Sequence, residues 1–337
     1  MPTNIRDVAR RLNLSITTVS RALDGYGDVA EETRKLVVRT AQEMGYVPNR
    51  AARELRRKRT ETIGYILPAS APQFSDPFFS EFIAGLGDEA AAKKYDLLVS
   101  TAPPDTEAER MIYQRWVQGR KVDGFILNRV RLDDWRMDYL SERNLPLVSL
   151  ERSRKQNHFI GIEVDSRNGM CALISHLVET GHERIGYIGT GDHYVIQADR
   201  FAGYRDGLEQ SNIPYRPEYC MTSDLTSSGG YLAAQKLLSL DPPPTAIACI
   251  NDLTAIGVLH AAHDRGLDVG HDLAVAGFDG IADSAHTQPP LTTLNQPVYE
   301  IARQLVDMLL NLASGNPLAQ TQITIQPEII IRRSTTG

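Results

Sequence analysis

Apolar residues recur every three to four positions through the first 45 residues, whereas after residue 62 they come in short β-rich runs set between amphipathic helical stretches. Two kinds of architecture in series are therefore expected. In NIRDVARRLNLSITTVSRAL (4–23) the apolar stripe falls at Ile5, Val8, Ala9 and Leu12, the spacing of a helix that buries one face. Asn4 can cap that helix, and Asp7, three residues on, can return a bond to the cap. Asn13 stands where a tight turn calls for a positive φ, and Ser15 can cap a second helix whose Val19 and Leu23 face inward. Two short helices joined in this way read as a helix-turn-helix, with an ordinary αα-hairpin as the alternative that this stretch alone leaves open. In a helix-turn-helix the second helix is the one that enters the DNA major groove, and its outward residues are Ile16, Thr17, Ser20 and Arg21. Arg21 can make a bidentate contact to guanine, Thr17 can bond a base edge or phosphate, and Ile16 can press on a thymine methyl.

A third helix is expected over 31–44, with Leu36, Val37, Ala41 and Met44 on its buried side and Gly45 at its end. The following RAARELRRKR, which Asn49 can cap, is apolar only at Ala51, Ala52 and Leu55. It is too short to be a stable helix alone and should order only against DNA or a partner chain.

From Thr62 onward the strands read as TIGYIL, DLLVS, GFILN, LPLVSL, FIGIEV, RIGYIG, TAIACI and LAVAGF, with helices over 79–94, 106–118, 167–180, 201–211, 229–238, 253–265 and 298–312 between or after them. Such alternation predicts parallel sheets covered on both faces, here two doubly wound lobes with a break near Glu163. The late helix and last strands imply crossings back near residues 291–294 and 322–325. The expected division is a DNA-binding domain over 1–48, a hinge segment over 49–61, a first lobe over 62–162 and 293–322, and a second lobe over 163–292 and 323–337.

Ligands of open α/β sheets sit beyond the carboxyl ends of the strands, and polar residues gather there. The candidates are Phe78 and Phe79, Asn128, Glu151, Tyr194, Arg200 opening the helix after it, Leu225, Asn251, Asp279, and Gln296 at a crossing. Asp76 reads as a loop residue. Carboxylates, amides and a guanidinium beside aromatic rings suit a largely uncharged, polyhydroxylated ligand, whose C–H face stacks while its hydroxyls bond.

Net charge changes the picture once it is divided. The chain carries −6 overall, but residues 1–61 hold 13 Lys and Arg against 8 Asp and Glu, a net of +5, which leaves −11 for the rest. One small segment suited to phosphates and a larger one that is not is the expected footprint of a DNA-binding domain joined to a regulatory core. Cys171, Cys220 and Cys249 are too far apart for a CxxC site or a disulfide framework, which fits a reduced cytoplasm. Neither a signal sequence nor an apolar run near 18 residues is seen, so secretion and a membrane location are not expected. GYIGTG lacks phosphate-loop spacing and no Walker lysine follows; HExxH and G-x-S-x-G are absent, so no cofactor, metal or catalytic centre is expected.

The motifs IRDVARRLNLSITTVSRAL, VAEETRKLVVRTAQEMGYVPNRAARELR, TIGYILP, DPFF, RFAGY, INDLTAIG and AGFDG, in that order, resemble the LacI/GalR family of bacterial transcription regulators over essentially the whole chain. The resemblance implies a three-helix DNA-binding domain, a hinge helix and a two-lobed core like that of periplasmic sugar-binding proteins. It implies minor-groove insertion of the hinge, with Leu55 as the wedge and Asn49, Arg50, Ala52 and Arg56 at the DNA. It assigns ligand contacts to Arg200, Asn251 and Asp279, then to Asn128, Phe78, Phe79 and Gln296, while Leu225 replaces an aromatic platform of many relatives and Ala30 a usual Ser cap. The expected protein is a homodimeric repressor of a palindromic double-stranded operator, controlled by a small effector, with a sugar favoured and a purine or protein corepressor as alternatives. A sugar-binding or sugar-processing protein with an incidental basic N-terminus is the rival of a different class.

Overall fold

The computed structural model describes residues 3–46, 59–68, 76–155 and 159–336, which form two compact units parting at Thr60 and Glu61. In the first unit, α1 (Ile5–Leu12), α2 (Ile16–Leu23) and α3 (Glu31–Glu43) pack around Val8, Val19, Ala22, Val37 and Ala41. The local signals explain the boundaries. Asn4 Oδ1 accepts from the Arg6 and Asp7 amides, and an Asp7 carboxylate oxygen accepts from the Asn4 amide at 3.1 Å, closing a capping box. Asn13 takes the left-handed turn at φ 52°, and Ser15 Oγ accepts from the Thr18 amide at 3.0 Å. Ala30 precedes α3 without any side-chain cap. Leu36 departs from expectation, being 44% exposed. The helix buries Val37, Thr40 and Ala41, an i, i+3, i+4 set that turns the preceding residue about 100° away from the core.

The second unit holds two six-stranded sheets. The first contains β1 (Thr62–Pro68), β2 (Asp96–Ala102), β3 (Gly124–Leu127), β4 (Leu147–Leu150), β5 (Gly161–Val164) and β11 (Gln322–Ile325), in the order β11-β5-β4-β3-β1-β2 and parallel throughout. The second contains β6 (Ile185–Gly189), β7 (Cys220–Thr222), β8 (Ala246–Cys249), β9 (Ala274–Asp279), β10 (Thr292–Asn295) and β12 (Glu328–Ile330), in the order β12-β10-β9-β8-β6-β7, with only the edge strand β12 antiparallel. On one face of the first sheet, α4 (Pro77–Ala92) and α11 (Val298–Ser314) bury Phe82, Leu86, Ile301 and Leu305. Their approach is so close that a Cβ on Gly85 would lie 2.4 Å from the Tyr299 carbonyl oxygen. On the other face, α5 (Glu107–Gln118) and α6 (Trp135–Ser141) enclose Tyr113, Trp116 and Phe125.

The chain passes between lobes after Val164, after Asn295 and after Ile325. The expected boundaries at 292/293 and 322/323 thus shift by three residues. Thr292–Asn295 pair in parallel with Ala276–Asp279 of the second sheet, and Gln322–Ile325 pair with Gly161–Val164 of the first. The short strand β10 and helix α6 had no distinct periodic signal in the sequence. Residues 49–58 of the expected hinge, including Asn49, Arg50, Ala52, Leu55 and Arg56, lie outside the described residues, as do residues 69–75 of the loop after β1.

Candidate functional site

Two regions collect the chemistry. In the helical unit, Val19 and Ala22 turn α2 inward, which leaves Ile16 at 45% exposure, Thr17 exposed, and Ser20 and Arg21 half-exposed on the opposite side. Arg21 is already engaged. Its Nε donates to Asp28 Oδ1 at 3.2 Å, its Nη2 pairs with Asp28 Oδ2, and its guanidinium lies 5.1 Å from the Tyr26 ring centre.

In the second unit, the carboxyl ends of the strands line a cleft between the lobes. Phe78, Asn128, Glu151, Arg200, Leu225, Asn251, Asp279 and Gln296 all border it. Arg200 does not open its helix as expected but sits within α8 (Val195–Gln210), which starts earlier than the apolar pattern suggested. Its guanidinium stacks 3.5 Å from the Phe278 ring centre, donates to the Ile250 carbonyl and lies 3.5 Å from Asp279 Oδ1. Gln296 Nε2 holds the same carboxylate at 2.8 Å. Asn251 caps α10 (Asp252–Asp264), accepting from the Thr254 amide and donating to the Leu225 carbonyl at 3.1 Å, so its amide is fixed in place. Across the cleft, Asn128 Nδ2 donates to the Tyr65 hydroxyl at 2.8 Å.

Three features mark the cleft as a place built to receive something. Asn128 Oδ1 and Arg200 Nε are buried without a hydrogen-bond partner among the described residues, a cost that a ligand's polar groups would relieve. Four lining residues other than glycine hold positive φ angles: Arg129 at 44°, Glu151 at 82°, Leu225 at 68° and Asp279 at 119°. Backbone strain of this kind persists where the surroundings enforce it. The carboxylic acids are also displaced from their usual ionisation. Burial pushes Glu151 up to about 8, opposed by the nearby Arg200, and pushes Asp279 up to about 7 against the same arginine. Burial also raises Asp76, which Arg129 partly offsets.

Phe79 and Tyr194 do not border the cavity. Phe79 is packed in the core of the first lobe, where Arg129 covers its ring at 4.6 Å. It neighbours Phe78 on α4, and two adjacent helical residues cannot face the same way. Tyr194 lies on a backbone bridge between lobes: it pairs with Arg131, while the Leu132 amide donates to the His193 carbonyl at 2.8 Å and the Val195 amide to the Val130 carbonyl at 3.0 Å. Val195, from the second lobe, packs into the core of the first. The 128–136 segment that carries this bridge is fixed by buried ion pairs of Arg131 with Glu109 at 2.9 Å and Arg136 with Asp134 at 2.6 Å.

Two charged lining residues escaped the sequence reading. Asp76, read there as a loop residue, accepts from the Phe78 amide as the cap of α4 and pairs with Arg129 at 3.3 Å. An Asp immediately before Pro77 carried that capping signal. Arg129 follows Asn128 at the same strand end and could have been noticed with it. Among the described residues, no group of three or more His, Cys, Asp and Glu is placed to hold a metal ion, and no helix is long and apolar enough to cross a membrane.

Comparison with known proteins finds a family match in each of the two units. Residues 4–49 match the model of bacterial regulatory proteins of the lacI family, and residues 174–335 match that of a periplasmic binding protein-like domain. Catabolite control protein A of Priestia megaterium is 32% identical over 99% of this chain and 100% of its own length. The HTH-type transcriptional repressor CytR of Escherichia coli (strain K12) is 33% identical over 98% of this chain and 96% of its own. The crystal structure of the lac repressor dimer bound to operator and the anti-inducer ONPF superposes with a TM-score of 0.86 at 27% identity, covering 100% of both chains. The protein belongs to the lacI family of bacterial transcriptional regulators and is not an enzyme.

Proposed function

We propose that this regulator is a homodimeric repressor that acts in the cytoplasm, with each α2 reading one half of a palindromic operator, and that a small, largely uncharged polyhydroxylated effector, a sugar, binds between the lobes. The observation that carries the effector reading is the pair of unpartnered buried groups, Asn128 Oδ1 and Arg200 Nε, in a cleft that also offers Asp279, Asn251 and Gln296. A buried acceptor and a buried donor on one wall and the other match a ligand whose hydroxyls both give and take hydrogen bonds. Phe78 supplies an apolar face, while Leu225 supplies one without a ring, which suits a compact ligand better than one that needs two aromatic platforms.

Control follows from the crossings. Ligand that binds one arrangement of the lobes more tightly shifts the protein toward it, and the shift reaches DNA through the segment joining the two units. The test is a thermal-shift screen against monosaccharides, disaccharides, sugar phosphates and purines, with Arg200→Ala as control, followed by operator binding with and without the hit. A ligand at 100 times its dissociation constant adds about 2.7 kcal/mol of stability. Sugars that stabilise the protein, lose the effect in Arg200→Ala and change operator affinity are expected. Stabilisation by purines alone overturns the sugar, and operator affinity indifferent to every stabilising ligand overturns the control.

A further inference from the structure

We propose that Asp28 is a positioning residue for sequence recognition: it braces Arg21 from behind so that the free edge of the guanidinium is presented to a base. This rests on the reading of Arg21 as a base-contacting residue. The geometry separates the two edges of one side chain. Asp28 takes Nε and Nη2 with its two carboxylate oxygens, a side-on fork. The end-on edge, Nη1 with the outer hydrogen of Nη2, has no partner among the described residues, and that edge can span the O6 and N7 acceptors of guanine. Tyr26 covers one face of the same guanidinium, so a long, rotamer-rich side chain on an exposed helix is held along one edge and one face before DNA arrives.

The electrostatics favour a bracing role over a purely structural one. Asp28 is an acid on a basic unit, 53% exposed beside a residue of the DNA-facing helix. It weakens attraction to phosphates of any sequence, and by occupying the inner fork it leaves Arg21 a single fork, in one fixed direction, for any DNA partner. The first effect lowers affinity for all DNA alike, whereas the fixed direction favours DNA that places guanine there and widens the gap between cognate and noncognate DNA. If the carboxylate instead competed with guanine, removing it would tighten cognate binding and widen the gap further, so the two arrangements predict opposite signs.

The experiment uses the full chain and a duplex operator selected from a random pool, at one fixed salt concentration. The base pair read by Arg21 is the one whose preference disappears in Arg21→Ala. The quantity measured is the ratio of dissociation constants for operators with that base pair replaced and intact. Asp28→Asn is expected to shrink the ratio about two- to five-fold, the range an exposed ion pair supports. Asp28→Glu is expected to restore most of it, and Asp28→Asn in the Arg21→Ala background to leave it unchanged. A ratio that stays the same or grows in Asp28→Asn overturns the brace while leaving the reading of Arg21 intact. Arg21→Ala that preserves every base preference overturns that reading and the brace together. Equal effects of Asp28→Asn with and without Arg21 overturn the brace in favour of general charge repulsion. Melting curves of all variants confirm that the helical unit is folded in each.

Discussion

Arg21 and Arg200 are each an arginine beside an aspartate and over an aromatic ring, one with Asp28 and Tyr26, the other with Asp279 and Phe278. The Arg21 side chain is 43% exposed and the Arg200 side chain 5%. In the first trio water screens the charges, so the pair adds little to stability. In the second, burial lifts Asp279 to about 7, the guanidinium keeps an unpartnered Nε, and the backbone at Asp279 is held at φ 119°. The same three kinds of group therefore make a weakly held, solvent-screened trio on the surface and a strained, charge-sensitive one inside. Solvent access, rather than residue type, sets which of the two a trio becomes.

The largest effect should come from breaking the buried charges that hold the cleft's 128–136 segment. Asp134 receives Arg136 and the Arg131 amide with almost no exposure, and burial opposes its ionisation while Arg136 restores it to below the usual carboxylate range. Asp134→Ala should cost about 3–5 kcal/mol in denaturant unfolding of the core; a loss under about 1 kcal/mol would show that water reaches the cluster. Arg21→Ala, at the exposed end of the comparison, should cost about 1–3 kcal/mol of discrimination between operators while moving stability by less than about 0.5 kcal/mol. A comparable loss of stability would remove the contrast between the two trios.

Glu151 sharpens the comparison through pH. Its pKa in the folded protein is about 8, far above its ordinary value, so the native state binds a proton that the unfolded state has released. Stability should fall as pH rises from about 4.5 to about 8 and level off above that range. Glu151→Gln should flatten that slope and raise stability at pH 8 by on the order of 1–2 kcal/mol, allowing for partial solvent access. An unchanged slope would assign the dependence to other groups. The smallest effect belongs to the helical unit: Ala30→Ser should add about 1 kcal/mol by capping α3, read as a higher melting temperature of that unit, because the cap is missing in the native chain.

How legible each region was follows the range of its interactions. The helix-turn-helix rests on contacts three or four residues apart, from Asn4 to Asp7 and from Ser15 to Thr18, so caps, turn and buried stripe could be read from the chain directly. Leu36 failed because one step around a helix separates core from water, and an apolar residue does not announce on which side of that step it falls. In the cleft, strand ends pointed to Asn128, Glu151, Arg200, Asn251 and Asp279 because parallel sheets gather their carboxyl ends. Tyr194 could not be placed, since its bridge joins segments far apart in sequence, and the positive φ angles at Arg129, Glu151, Leu225 and Asp279 are imposed by tertiary packing on residues with no local preference for them.

The three passages between lobes have a consequence for synthesis. The first sheet is completed by β11, whose Gln322 pairs with Gly161, and one of its faces is covered by α11, which begins at Val298. A nascent chain that has made the first lobe's residues up to Val164 still shows the edge of β5 and the apolar surface around Phe82 and Leu86 until Val298–Ile325 have left the ribosome. A product truncated before Val298 would keep its DNA-binding helices and lack a closed first lobe, making it a substrate for chaperones and proteases instead of a repressor without control.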